Sequence, residues 1–393
     1  MTPQPFNFDE RIERRGTHSL KWDEAPTADV LPLWVADMDF RAAPCIQQAL
    51  QRRLDHGVFG YACVPDAFYD AAISWFQTYH GWTLQRPWMM YTTGVVPAIS
   101  ATVKALTRPG DKVLVQTPVY NCFFSSIRNN GCQVEMSPLR YVMKDGRPTY
   151  EVDFADFERR CADPAVKLFL LCNPHNPAGR VWRREELEEM GRICLRHGVT
   201  VLSDEIHNEL VFADNVYTPF ASISDELLHA SVTFLSPSKS FNIAGLQVAN
   251  IICTSADRRA RIDRAINDNE TCDLNVFAIE AQIAAYTEGH PWIEALRAYL
   301  WDNYQLLLHF FSEHLPQLPV CRLEGTYLPW VDIRATGQSS DNLCQHLLQQ
   351  AKVWFNPGTM YGPEGRHFLR INIACPRATL REALERTLPM LKQ

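Results

Sequence analysis

Five short runs of apolar, mostly β-branched residues lie in the middle of the chain: 112–115 (KVLV), 166–172 (VKLFLLC), 199–203 (VTVLS), 232–235 (VTFL) and 248–253 (VANIIC). Runs that are continuous rather than alternating mark strands buried on both faces. Between them lie helical patterns. In residues 183–197 (RREELEEMGRICLRH), Leu187, Met190, Ile193 and Cys194 share one stripe and charged residues take the other side. Parallel neighbours need long crossovers, so strands separated by such helices predict an α/β fold, a three-layer sandwich around a mainly parallel sheet.

The last third reads differently. A polar-amphipathic stretch over 280–314 is followed by alternating segments around 327–333 and 367–373, the pattern of a smaller α+β unit. At 393 residues the chain exceeds what one core usually serves. The expected division is an N-terminal arm over 1–45 packing with the small unit, a large unit over 46–285 and the small unit over 286–393. No Gly/Ser linker or internal repeat separates them.

A formal charge of -7 gives no electrostatic reason to bind a polyanion, so nucleic acid is not an expected partner. No span of about 20 uninterrupted apolar residues appears, which argues against a membrane. Residues 1–15 lack the apolar core of a secretory signal. The twelve cysteines are scattered from Cys45 to Cys375 with no C-x-x-C pair, and read as buried thiols in a reducing cytoplasm. His175, His207 and Cys172 lie near one another without the spacing of a metal site, so no metal is expected.

Four segments carry candidate chemistry. In FLSPSKSFNIAGL, Lys239 follows a strand and a Ser/Pro/Ser turn among small and apolar residues. A desolvated lysine has a lowered pKa and becomes a nucleophile, whereas the plain alternative is a surface lysine. In VLSDEIH, Asp204 stands just beyond a buried strand, where open α/β sheets bind ligands. It can hold a pyridine nitrogen protonated or cap a helix. In LLCNPHNPAGR, Asn-Pro pairs and Gly179 predict a tight turn that aims Asn176 at a ligand oxygen, or a simple loop. In YTTGVVPAIS, Gly94 precedes a helical pattern whose first amides suit a phosphate, although the motif is neither a Walker loop nor a dinucleotide fingerprint.

In this order the segments resemble the aspartate-aminotransferase fold family, the fold type I pyridoxal 5'-phosphate enzymes. LPLWVADMDF (31–40), HGVFGY (56–61), SDEIH, SKSFNIAGL and FLRINIACPR (368–377) resemble the MalY/PatB-type cystathionine β-lyases within it. The resemblance implies pyridoxal 5'-phosphate bound through an imine to Lys239, with Asp204 partnering the pyridinium nitrogen and Asn176 the phenolic oxygen. Tyr120 would stack on the ring. The amides of Val95 and Val96 and the hydroxyls of Ser236 and Ser238 would hold the phosphate, and Tyr61 would reach that of a neighbouring subunit in a homodimer with shared sites. Arg370 would clamp the α-carboxylate of an amino-acid substrate, with Asn176 and Ala36 also lining the substrate position.

Two positions depart from the wider aminotransferase pattern. Gln247 stands where many relatives carry an arginine for the phosphate, and His207 where many carry a tyrosine. The activity implied is α,β-elimination from L-cystathionine or related S-substituted cysteines, giving thiol, pyruvate and ammonia, with Lys239 as Cα base. The alternatives are an aminotransferase using the same residues and a regulatory or binding protein that keeps the fold.

Overall fold

The computed structural model describes residues 6–268 and 272–392. The apolar runs form the interior of a seven-stranded sheet: β1 (Met89–Thr92), β2 (Lys112–Val115), β3 (Gln133–Met136), β4 (Val166–Cys172), β5 (Thr200–Asp204), β6 (Ser231–Leu235) and β7 (Ala249–Ile252). Their spatial order is β1-β7-β6-β5-β4-β2-β3. The pairs from β3 to β6 are parallel, and β7 alone runs antiparallel to its neighbours β1 and β6.

The two-residue period of a strand explains why these runs are continuous. Along β4, Leu168, Leu170 and Cys172 enter one apolar cluster with Ala98, Ile99, Phe123 and Ile262. Phe169 and Leu171 enter another with Phe157, Leu187, Met190 and Ile193. Helices Val95–Leu106, Asn121–Arg128 and Ala256–Asn267 therefore cover one face, and Phe154–Cys161 and Arg184–His197 the other. Three layers result, as the sequence predicts.

Two expectations shift. The strand placed at 199–203 is Thr200–Asp204, so Asp204 is its last residue rather than the first beyond it. The stretch over 280–314 is two helices, Val276–Glu288 and His290–His314, broken at Gly289. A Cβ at Gly289 would lie 2.4 Å from Phe241 Cε1, so the chain turns there against the ring, and the next helix starts at His290 with Pro291 in its first turn.

Toward the C-terminus, Trp330–Asp332, Asn356–Pro357 and Phe368–Arg370 make a three-stranded antiparallel sheet. The N-terminal segment joins this region: Leu31–Pro32 pairs in parallel with Val353–Trp354, and Trp34 stacks on Trp354 with centroids 4.4 Å apart. Among the described residues no helix is long and apolar enough to cross a membrane. All twelve cysteines are free; most are buried, but Cys63 is exposed, against the expectation of buried thiols.

Candidate active site

At the carboxyl ends of β4, β5 and β6 lies a cavity of about 190 Å³. Parallel strands bring their ends to one edge of the sheet, where residues from distant sequence positions meet. The cavity is lined by Lys239, Asp204, Asn176, His207, Tyr120, Ser238, Val95, Val96 and Ala36 among the predicted residues.

Lys239 is half-buried, and its Nζ donates to the Ala36 carbonyl at 2.7 Å. The surface-lysine alternative is therefore excluded. Burial pushes its amine below the usual lysine value, and the charge of Arg370 adds to that shift while Asp37 and Asp204 oppose it. An amine so placed is more readily neutral and nucleophilic.

Asp204 pairs with Cys172 on β4 and Phe234 on β6, so its carboxylate stands at the centre of the sheet edge. No helix begins there: Oδ1 accepts from the Ile206 amide at 3.1 Å in a local turn. The helix-cap reading fails for that reason. Burial pushes the carboxyl up to about 7, a state that a cationic partner would reverse.

Asn176 sits in a turn fixed from several sides. Gly179 has φ +70° and its amide donates to the His175 carbonyl at 2.8 Å; a Cβ there would come within 3.0 Å of Leu323. Arg180 locks the turn through Glu324 at 2.8 Å and Glu186 at 2.9 Å. Asn176 Oδ1 accepts from Arg370 Nη1 at 3.2 Å. Because guanidinium only donates, this contact orients the amide and leaves its NH₂ as a donor for a ligand oxygen.

His207 also faces the cavity, with Nδ1 buried and without a hydrogen-bond partner. Burial, with Lys239 and Arg370 nearby, drives its imidazole down to about 3, so it is neutral. Tyr120 precedes helix Asn121–Arg128, and burial beside Cys122 keeps its phenol neutral.

Another part of the cavity lining suits an anion. Gly94 precedes helix Val95–Leu106, which carries no side-chain cap, and Gly94, Val95 and Val96 all line the space. First-turn amides and the helix dipole favour negative charge. Ser238 contributes its position beside them, but Ser236 does not line the cavity. Its hydroxyl donates to the Val248 carbonyl at 2.6 Å and accepts from the Ser238 amide at 3.1 Å, so it fixes the turn from behind. Gln247 is exposed.

Arg370 is buried, with Nη2 donating to the Trp34 carbonyl at 2.8 Å and Nε left without a partner. Among the described residues its partners are the Asn176 side chain, the Trp34 carbonyl and the Tyr361 ring and no carboxylate, an expensive arrangement for a buried cation unless a ligand brings the counter-charge. Tyr61 is fully exposed and does not line its own chain's cavity. Sequence reading missed Ile206, Pro97 and Ala244, which form apolar wall, and Tyr327, whose hydroxyl donates to the Ala36 carbonyl at 2.9 Å. An aromatic in an alternating segment reads as core, and only its partner reveals otherwise.

An amine, a strand-end carboxylate, an oriented amide and an anion-binding helix start now share one space, and Arg370, which does not line it, stands behind Asn176 at its edge. Residues 28–386 match the family of class I and II aminotransferases. The chain is 46% identical over 385 residues to cystathionine beta-lyase PatB of Bacillus subtilis strain 168, covering 97% of this chain and 98% of that protein. It is 36% identical to Protein MalY of Escherichia coli strain K12, over 96% of this chain and 97% of that one. The chain belongs to the class I and II aminotransferase family, in its MalY/PatB-type branch. Among solved structures, cystalysin from Treponema denticola, which contains a pyridoxal 5'-phosphate cofactor, superposes with a TM-score of 0.94 at 34% identity, covering 98% of this chain and 99% of that one. This agreement extends over the whole sheet edge that builds the site.

Proposed function

We propose that this protein is a pyridoxal 5'-phosphate-dependent carbon–sulfur β-lyase that cleaves L-cystathionine or related S-substituted cysteines to thiol, pyruvate and ammonia. The observation that carries it is the buried Arg370, which has no partner at Nε and reaches the site through its hydrogen bond to Asn176, a residue that lines the same cavity as Lys239 and Asp204. The residues fit the cofactor on their own chemistry: a carboxylate for a protonated ring nitrogen, the Asn176 amide for a ring oxygen and the Val95 and Val96 amides with Ser238 for a phosphate.

Bound there, pyridoxal phosphate supplies an electron sink for the pair left when the Cα proton departs. Arg370 binds the α-carboxylate and so fixes which bond at Cα faces Lys239. Lys239 takes the Cα proton as general base. Asp204 would hold a proton on the ring nitrogen, and His207, neutral and with Nδ1 unpartnered, adds no charge beside it. With Gln247 in place of a cation, phosphate binding rests on amides and hydroxyls.

The same reading makes the protein a homodimer. Tyr61 is exposed beside exposed Leu54, Val58 and Phe59, an apolar surface suited to a second copy, from which Tyr61 would reach the partner's phosphate site. In the same reading the chain divides into an arm over 1–45, a large unit over 46–285 and a small unit over 286–393, supported by Arg370 of the last reaching Asn176 of the second. Twelve free thiols suit the cytoplasm.

The test is anaerobic incubation of cofactor-loaded protein with L-cystathionine, scoring pyruvate, ammonia and homocysteine together. Equal yields without any 2-oxo acid support the lyase. Turnover only when a 2-oxo acid is added means an aminotransferase, and no turnover with either points to a binding role.

A further inference from the structure

Residues 33–38, of which Ala36 lines the site, form no regular helix or strand, and donors from distant parts of the chain hold them almost carbonyl by carbonyl. Leu33 O accepts from the Asn372 amide at 3.0 Å, and Trp34 O accepts from Asn356 and Arg370, each at 2.8 Å. Asn372 Nδ2 spans the Val35 and Asp37 carbonyls. Asn242 brackets Met38, accepting from its amide at 3.0 Å and donating to its carbonyl at 3.1 Å, and donates also to Phe40 O at 2.8 Å. Ala36 differs: its carbonyl accepts from Lys239 Nζ at 2.7 Å and from Tyr327 Oη at 2.9 Å.

A carbonyl oxygen has two lone pairs, so the two donors complete it. Tyr327 is fully buried and its ring lies edge-on to His207, with centroids 6.1 Å apart. Among the described residues its hydroxyl donates to the Ala36 carbonyl alone. The lysine amine must leave Ala36 to meet a ligand and return to it when released, whereas Tyr327 stays.

We propose that Tyr327 is a positioning residue for Lys239, acting through the Ala36 carbonyl that the two side chains share. This rests on Lys239 being the Cα base. With Tyr327 holding one lone pair, the other keeps a fixed direction. The released amine donates one N–H along it, which turns the nitrogen lone pair toward Cα. When the proton moves from Cα to Nζ, its electron pair staying behind on Cα, the new ammonium finds the same acceptor already aimed.

The test uses Tyr327→Phe, which keeps the ring and removes the bond. In deuterium oxide, exchange of the Cα proton of L-alanine reports the proton transfer without any leaving group. Exchange and kcat with L-cystathionine are expected to fall about tenfold, with KM and apoenzyme affinity for pyridoxal phosphate held within about twofold. Borohydride reduction followed by mass spectrometry checks that the cofactor is still joined to Lys239. Asn242→Gly loosens the same segment from the other side without placing a Cβ at its φ of +55°, and is expected to give the same selective loss if Tyr327→Phe does not fold. Unchanged exchange with Lys239 still trapped overturns the role of Tyr327 alone. A parallel collapse of cofactor affinity and exchange overturns it in favour of general structural support. Failure to trap Lys239 in the parent protein removes the functional reading and this inference together.

Discussion

Arg370 Nη1 donates to Asn176 Oδ1 at 3.2 Å, joining the last strand of the C-terminal sheet to the turn that follows β4. One guanidinium thus orients the cofactor-side amide while leaving Nε unpartnered for a substrate. Arg370→Lys keeps the charge but loses the fork. Loss of charge-assisted hydrogen bonds of about 1.5–3 kcal/mol corresponds to a KM raised about 10- to 100-fold, read by steady-state kinetics. Cofactor titration of the same variant is expected to change little; equal losses in both would show that the arginine serves the fold.

Lys239→Ala removes the amine that stands on Ala36 O. The visible band of the protein-bound cofactor is expected to disappear at neutral pH, and kcat to fall about 10³-fold or more. An unchanged spectrum would place the imine elsewhere.

Asp204 offers a stability test on the cofactor-free protein. Its folded carboxyl is raised from 3.8 to about 7 by burial, so the folded state keeps a proton that the unfolded chain loses. The contribution is fully present below the unfolded value and is lost as pH rises through the folded one. Asp204→Asn cannot titrate. Calorimetry from pH 4 to pH 7.5 is expected to show the parent's unfolding temperature falling relative to the variant's. Parallel curves would mean that the carboxylate is already compensated.

Tyr61 is tested by mixing subunits. Tyr61→Phe and Lys239→Ala chains, each inactive alone, are expected to recover about half the native activity per heterodimer if Tyr61 acts across a symmetric interface, because one of two sites is then intact. Activity measured on purified heterodimers decides this, and none would place Tyr61 outside the neighbouring site.

Most of the site was legible because strand ends are legible. Asp204, Asn176 and Lys239 each follow an apolar run, and the parallel order brings those ends to one edge without further information. The one-residue shift of β5 and the break at Gly289 lie where packing, not pattern, sets the boundary. Ser236 was placed on the phosphate by resemblance, yet its hydroxyl serves the Val248 carbonyl. Asn242 and Asn372 lie inside motifs that carry the resemblance, yet their roles, like that of Tyr327, had no readable signal. They hold backbone carbonyls far away in sequence, and neutral polar groups of that kind leave neither periodicity nor charge pattern.

The hold on residues 33–38 also sets a schedule. Trp34 and Arg370 are 336 residues apart, and Val35 and Asn372 are 337 apart. Contacts so distant form late, after shorter-range structure is in place. During synthesis the sheet edge and Lys239 emerge long before the residues that pin Ala36 over them. A nascent chain therefore carries Lys239 without its clamp until residues 327–372 have been made and have folded back onto the segment around Ala36.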